Sequence, residues 1–130
     1  MNCYAFDVDH TLEISHGPVR FASLVALRNA GHIVGLCGNW AVVTRYVRNW
    51  HHLFSFVGAI GTDKAGFLAQ IMQYVPADRY VMVGNDPTDF PDAPPGAISS
   101  DRLAAEAAGW EFIRERDFAA LQPEPTHAAL

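Results

Sequence analysis

An apolar run near the N-terminus ends in two aspartates two residues apart, and this feature most constrains how the chain folds. The segment is YAFDVDHTL, residues 4–12. Side chains alternate between the two faces of a strand, so Asp7 and Asp9 start on the same side of the sheet. If the strand stops at Asp7, both carboxylates lie at its C-terminal end, where open α/β sheets bind ligands. Crowded carboxylates repel each other, and a hard cation such as Mg²⁺ between them relieves the repulsion.

The remaining sequence alternates strand-like and helix-like stretches. This order predicts an α/β fold, a three-layer Rossmann-like parallel sheet with helices on both faces. The predicted strands are residues 2–6, 32–37, 56–60, 80–83, 97–99 and 110–113. The predicted helices are residues 18–29, with Pro18 in the first turn, residues 41–53, a helix that follows Asp63 and ends at Pro76, and residues 102–108, capped by Ser100.

Length and composition indicate one folded unit. A chain of 130 residues predicts a single domain over 1–130, with residues 122–130 as a frayed tail. Half of the residues are hydrophobic and 18% are charged, which is typical of a compact fold rather than a disordered one. No apolar run approaches a membrane span and the first residues lack a signal-peptide pattern, so we expect no membrane partner and a cytoplasmic protein.

The net charge of −5 argues against a broad electrostatic grip on nucleic acid. We therefore expect no nucleic-acid partner. The net charge of the whole chain does not exclude a local basic patch, because such a patch depends on where the charged residues lie.

The pattern Asp7, Asp9 and Thr11, followed by Leu12, resembles the first motif of the haloacid dehalogenase (HAD) superfamily. Phosphatases of that superfamily carry Asp-x-Asp-x-Thr after a hydrophobic strand. The resemblance implies a HAD-like core and extends over residues 4–89. A surface strand end with two solvated aspartates is the alternative reading of the three residues alone, so the rest of the chain has to agree.

Two further positions follow in the chain order of this resemblance, and the first of them departs from the family pattern. After the second strand the superfamily places a Ser or Thr that binds phosphate, and here Gly38 stands at that position, followed by Asn39. The backbone N–H groups of Gly38, Asn39 and Trp40 remain as candidate anion ligands at a helix start. Lys64, the only lysine of the chain, matches the cation that the superfamily aims into its pocket. A lysine at a helix N-terminus opposes the helix dipole, which suggests a purpose beyond solvation.

The fourth strand leads into Gly84-Asn85-Asp86 and then Asp89, which is similar to the last motif of the superfamily. Either Asn85 or Asp86 occupies the position nearest to the metal. We expect Asp86, because a carboxylate is the stronger ligand for a divalent cation. Asp89 is then a further ligand or a residue that supports one.

The resemblance implies a Mg²⁺-dependent phosphomonoesterase, a HAD-like hydrolase. Asp7 is then the nucleophile that forms an aspartyl phosphate, and Asp9 is the general acid and base. Lys64 shares the electrostatic load, and Thr11, Gly38 and Asn39 contribute to substrate binding. Mg²⁺ would be held by Asp7, Asp9, Asp86 and Asp89.

The spacing of the motifs leaves no room for a cap domain. Such a capless phosphatase needs walls from a large substrate or from a second subunit, so a homo-oligomer is left open. The expected partner is a phosphorylated substrate, either a macromolecule or a small ester. The alternative is a HAD-like domain that binds a ligand or regulatory partner but turns over poorly, because Gly38 lacks the usual hydroxyl.

Overall fold

The computed structural model describes residues 1–59 and 63–122, and it has a five-stranded parallel sheet at its centre. The strands are β1 (Cys3–Phe6), β2 (Ile33–Cys37), β3 (Phe56–Gly58), β4 (Tyr80–Gly84) and β5 (Glu111–Arg114). Their order across the sheet is β3-β2-β1-β4-β5, and every neighbouring pair is parallel. Chain direction and order thus bring the C-terminal ends of β1, β2 and β4 together at one edge.

Helices cover both faces of the sheet, as the alternation of elements predicts. They are α1 (Phe21–Asn29), α2 (Ala41–Tyr46), α3 (Trp50–Leu53), α4 (Lys64–Tyr74), α5 (Asp101–Ala108) and α6 (Glu115–Leu121). Phe6 of β1 packs in a buried cluster with residues of α1, α2, α3 and α6. Cys3 and Ala5, which alternate with it, pack in a second cluster with Leu68 of α4 and Ala105 of α5.

The first helix begins later than predicted. Pro18 does not lie in its first turn, since α1 starts at Phe21. The reason is a backbone connection just before it: the Val19 N–H donates to the Thr11 carbonyl at 2.9 Å, and the Glu13 N–H donates to the Val19 carbonyl at 2.9 Å. Val19 is buried in this extended form, so burial and two hydrogen bonds outweigh the helix preference of the proline.

The single helix predicted over 41–53 is two short helices. The chain leaves helical geometry at Val47, which has φ −99° and ψ 107°, and resumes it at Trp50. The β-branched residues Val42, Val43, Thr44 and Val47 lower the helix propensity of this stretch. Burial of Val43 and Leu53 then decides the path of the chain.

Two further differences lie in the last third of the chain. The strand predicted over 97–99 is absent, because β4 pairs with β5 instead. The helix α6 was not predicted, since it follows β5 with no intervening turn signal.

Ser100 does cap α5, by accepting a hydrogen bond from the Leu103 N–H at 3.3 Å. The predicted end of the third strand at residue 60 and the predicted tail after residue 122 lie outside the described residues.

Within the described residues, no helix combines the length and the apolar character needed to cross a membrane.

Candidate functional site

A cavity of about 190 Å³ opens at the edge of the sheet where β1, β2 and β4 end. The loop after β1 contributes Asp7, Asp9 and His10 to its lining. Further lining residues come from the turn after β2, the start of α4, the end of β4 and the segment before α5: Gly38, Asn39, Ala59, Lys64, Asn85, Gly96, Ala97 and Ser99. The structure therefore brings five of the residues predicted for the site, Asp7, Asp9, Lys64, Gly38 and Asn39, to one cavity.

Lys64 sits between two buried carboxylates. Its Nζ lies 3.0 Å from Asp7 Oδ1 and 2.7 Å from Asp101 Oδ1. Ser99 Oγ lies 3.3 Å from the same nitrogen. Asp7 is 3% exposed and Asp101 is fully buried. We call Asp7, Lys64, Ser99 and Asp101 the lysine cluster, and its carboxylates outnumber its cation by one.

Burial and the excess of negative charge both change the proton affinities of the lysine cluster. Burial, followed by the negative charge of Asp101, raises the pKa of Asp7 to about 7, although Lys64 acts in the opposite direction. Burial disfavours the ammonium charge of Lys64, but Asp7 and Asp101 together outweigh that effect and hold the pKa of Lys64 above its usual value. Lys64 is therefore a permanent cation in this site, whereas Asp7 changes charge near neutral pH.

Asn85, at the end of β4, bridges the two ends of the aspartate motif. Its Nδ2 donates to Asp7 Oδ2 at 2.8 Å and to the Asp9 carbonyl oxygen at 2.7 Å. Its Oδ1 accepts a hydrogen bond from the Thr11 hydroxyl at 3.3 Å. The Asn85 N–H also donates to Asp101 Oδ2 at 2.7 Å, which ties the end of β4 to the lysine cluster.

The same two oxygens that bind the Asn85 amide nitrogen are suitable ligands for Mg²⁺. Asp7 Oδ2 and the Asp9 carbonyl oxygen converge on one point, and hard cations prefer such oxygen ligands. A turn of the Asn85 amide would bring Oδ1 to that point, and the Thr11 hydroxyl can accept from Nδ2 as well as donate to Oδ1. The residues thus fit Mg²⁺, with an amide in place of one carboxylate. Among the described residues, no three His, Cys, Asp or Glu side chains converge on one point.

Asp86 and Asp89, which the sequence predicts as metal ligands, are not among the residues that line the cavity. Their partners are arginines on α5, β5 and α6. Asp86 Oδ2 lies 2.8 Å from Arg102 Nε, and Asp89 Oδ2 lies 2.9 Å from Arg114 Nε. We call this group, with its remaining member on α6, the arginine cluster: Asp86, Asp89, Arg102, Arg114 and Arg116. Strand alternation explains the difference, since Asn85 turns toward Asp7 and the next side chain points away.

The pKa of Asp86 is lowered, in contrast to that of Asp7. A hydrogen bond from the Thr88 N–H to Asp86 Oδ1 at 3.2 Å is the main cause, and Arg102 and Arg114 lower it further. Asp86 thus stabilises the turn after β4 by accepting the Thr88 hydrogen bond, and Arg102 and Arg114 neutralise its negative charge.

The turn after β2 differs from the expected phosphate cradle. The Gly38 N–H donates to the Gly58 carbonyl at 3.1 Å, and the Trp40 N–H donates to the Gly38 carbonyl at 2.7 Å. Two of the three N–H groups expected to bind an anion are therefore already used. A Cβ on Gly38 would lie 2.3 Å from Asp7 Oδ1. Glycine stands here because the chain passes directly against the carboxylate, which leaves no space for a hydroxyl side chain.

Thr11 also differs from its expected role. It is fully buried and does not line the cavity. Its hydroxyl reaches only the Asn85 amide among the described side chains. Thr11 therefore orients Asn85 rather than touching a ligand.

The segment between β4 and α5 forms one wall of the cavity. It contributes Gly96, Ala97 and Ser99 to the lining. Its Phe90 ring packs against the ring of the cavity-lining His10, with centroids 5.6 Å apart. His10 has a positive φ of 58°, an uncommon conformation for a side-chain-bearing residue. A wall made by this chain thus stands where the sequence led us to expect a substrate or a second subunit.

Sequence reasoning missed Asp101 and Ser99. Asp101 follows Asn85 by 16 positions, and a proline-rich segment of irregular structure separates them. The one available signal was its place at the first position of a capped helix, which is common for aspartate and therefore weak.

No family model matches this sequence, and neither a curated protein nor a solved structure was found to match it. The fold and the geometry of the site therefore have to carry the functional argument.

Proposed function

We propose that the protein is a HAD-like phosphatase, a phosphomonoesterase that works through an aspartyl phosphate on Asp7. The main support is the position of Asp7: it directly follows the central strand β1 and lines an open cavity, and its two oxygens contact Lys64 and Asn85. Asp9 follows on the same loop with an exposed side chain. A buried carboxylate, an exposed carboxylate and one cation in a small cavity suit transfer of a compact anion.

In the first step an Asp7 oxygen attacks phosphorus, and the bond from phosphorus to the ester oxygen breaks. Asp9 donates its proton to that oxygen, so the product leaves as a neutral alcohol. In the second step Asp9 takes a proton from water, and the water oxygen attacks phosphorus. The acyl phosphate bond then breaks, which restores the Asp7 carboxylate and releases inorganic phosphate.

Lys64 neutralises charge throughout both steps, and Asp101 and Ser99 hold its ammonium group in place. Thr11 sets the orientation of Asn85, which in turn positions Asp7 and the Asp9 carbonyl. Mg²⁺, when held by Asp7, the Asp9 carbonyl and Asn85, would supply further charge neutralisation between an anionic nucleophile and an anionic substrate.

The test is hydrolysis of an aryl phosphate with Mg²⁺ and with a chelator, with Asp7→Asn as the blank. We expect turnover by the wild-type protein with Mg²⁺, none by Asp7→Asn, and the mass of one phosphoryl group on the peptide that contains Asp7 after rapid quenching. Asp9→Asn should accumulate that adduct or slow its formation, with turnover lowered by about 10²–10⁴-fold. Equal turnover by Asp7→Asn would disprove the mechanism.

One observation favours a second candidate, a domain of this fold that binds its ligand but turns over poorly. The Asn85 amide nitrogen already fills the point between Asp7 and the Asp9 carbonyl, and Gly38 brings no hydroxyl. Inactivity over a broad panel of phosphate esters, together with saturable phosphate binding that depends on Lys64, would support this candidate instead.

A further inference from the structure

Charge is distributed very unevenly along this chain. Residues 14–62 contain four of the nine Lys and Arg residues and none of the fourteen Asp and Glu residues. Four of the six histidines also fall in this stretch. The net charge of −5 therefore hides a cationic part that is carried largely by α1, α2 and α3, and a strongly acidic remainder.

The cations of the two parts differ in their partners. All five cations outside residues 14–62 are ion-paired with a carboxylate: Lys64, Arg79, Arg102, Arg114 and Arg116. The part of the chain that the structure describes provides no carboxylate partner for Arg28, Arg45 or Arg48. These three are exposed, so their charge faces solvent without neutralisation.

Aromatic rings lie among these arginines. The Arg45 guanidinium lies over the ring of Tyr46, at 5.6 Å from its centroid, and Tyr46 is 69% exposed. The rings of His51 and His52 are 4.4 Å apart, and His51 also contacts Trp50. Arg28 joins the group because it donates a hydrogen bond to Ser55, just after α3. We call this region the α2–α3 surface: Arg28, Arg45, Tyr46, Arg48, Trp50, His51 and His52.

The α2–α3 surface begins close to the cavity. Asn39 lines the cavity, and α2 starts two residues later at Ala41. The six residues of α2 span about 9 Å at 1.5 Å per residue. The residues at the C-terminal end of α2 therefore lie about the length of this short helix from the cavity-lining Asn39.

We propose that the α2–α3 surface binds single-stranded nucleic acid. Unpaired arginines supply contacts to successive phosphates, and an exposed tyrosine beneath an arginine supplies a platform for an unpaired base. Cations alone would suit any polyanion, and the exposed ring of Tyr46 is what favours bases. The proposal is independent of the phosphatase chemistry, since no member of the surface lines the cavity.

The test is fluorescence anisotropy with labelled single-stranded oligonucleotides of about 15 residues, near the upper end of common site sizes. We expect saturable binding that weakens with salt, with a log–log slope near −2 for three phosphate contacts. Arg45→Ala combined with Arg48→Ala should weaken binding at least about tenfold and reduce the slope by about 1.4. Tyr46→Ala should weaken binding about fivefold or more.

Two matched controls come from the same chain. Tyr74→Ala removes a tyrosine that is 74% exposed on α4, and Arg79→Ala removes an arginine that is paired with Glu111. Both should bind like the wild-type protein. All variants should keep the wild-type circular dichroism and melting temperature, which excludes unfolding as the cause of lost binding.

Three results would overturn the proposal. One is the absence of saturable binding at low salt. Another is equal binding to poly-glutamate combined with no effect of Tyr46→Ala, which would indicate an acidic protein partner. The third is self-association, measured by sedimentation, that the arginine substitutions abolish and that oligonucleotide does not compete with, because a second copy would then be the ligand.

Discussion

Two clusters of carboxylates flank the end of β4, and they differ in charge balance. In the lysine cluster Asp7 and Asp101 share one cation, Lys64. In the arginine cluster two carboxylates meet three arginines. The pKa of Asp7 is raised to about 7, and that of Asp86 is lowered. A cluster with too little positive charge can accept a cation or a proton, whereas a satisfied one holds structural elements together. Burial of Asp7 and the Thr88 hydrogen bond to Asp86 are the largest causes of the two opposite pKa shifts, and the charge balance of each cluster acts in the same direction as its shift.

The largest expected effect of this difference is on stability after loss of a cation. Lys64→Met should lower the free energy of unfolding by about 3–5 kcal/mol, because it leaves two buried carboxylates without a counter-charge. Urea unfolding above pH 7 measures this loss. Arg114→Met is the matched control in the arginine cluster, and equal losses in the two variants would contradict the comparison.

The second effect is the pH dependence of stability. The unfolded chain releases the Asp7 proton near pH 4, whereas the folded chain keeps it to about pH 7. The stability contributed by this proton is complete below about pH 4 and is lost as the pH rises through about 7. Wild-type unfolding with a chelator present should therefore lose up to about 1.4 kcal/mol per pH unit in this window.

Asp7→Asn should remove that decline, because the amide does not titrate. Asp86→Asn should act with the opposite sign: its lowered pKa stabilises the protein above about pH 4, and this contribution is lost as the pH falls. If Asp7→Asn showed the same decline of unfolding free energy with pH as the wild-type protein, a group other than Asp7 would carry the raised pKa.

The third effect concerns packing against the lysine cluster. Gly38→Ala places a methyl group 2.3 Å from Asp7 Oδ1, so Asp7 must shift. We expect a loss of about 1–3 kcal/mol in stability and a larger relative loss of turnover.

The same clash predicts that Gly38→Thr weakens inhibition by inorganic phosphate. Tighter inhibition in a folded Gly38→Thr protein would show that the turn can move aside.

The smallest effect is expected in the arginine cluster. Arg114 contacts both Asp86 and Asp89, but Arg102 and Arg116 remain when it is removed, and its side chain is 30% exposed. Arg114→Met should therefore cost only about 0.5–1 kcal/mol. A cost comparable to that of Lys64→Met would mean that the arginines are as tightly coupled to the core as the lysine.

The sequence was most informative where one short segment carries both the fold and the chemistry. The apolar run before Asp7 predicted the first strand, and the resemblance of the motifs implied that Lys64 would lie near Asp7, where its Nζ is 3.0 Å from Asp7 Oδ1. Asp86 was chosen over Asn85 because of ligand strength, but strand alternation decides which of two neighbours faces Asp7. Asp101 was not predictable from spacing, because the irregular segment before it has no period from which to infer its path.

The central place of β1 has a consequence for how the protein is made. Among the five strands of this sheet β1 is translated first, but β4, which pairs with one of its edges, ends only at Gly84. Until that strand emerges, one edge of β1 keeps unpaired backbone groups and is open to wrong partners. Asp101, which completes the lysine cluster, is translated later still. The nascent chain thus carries Asp7 long before the rest of the lysine cluster is made, and a chain released before β4 is complete would keep one edge of β1 unpaired.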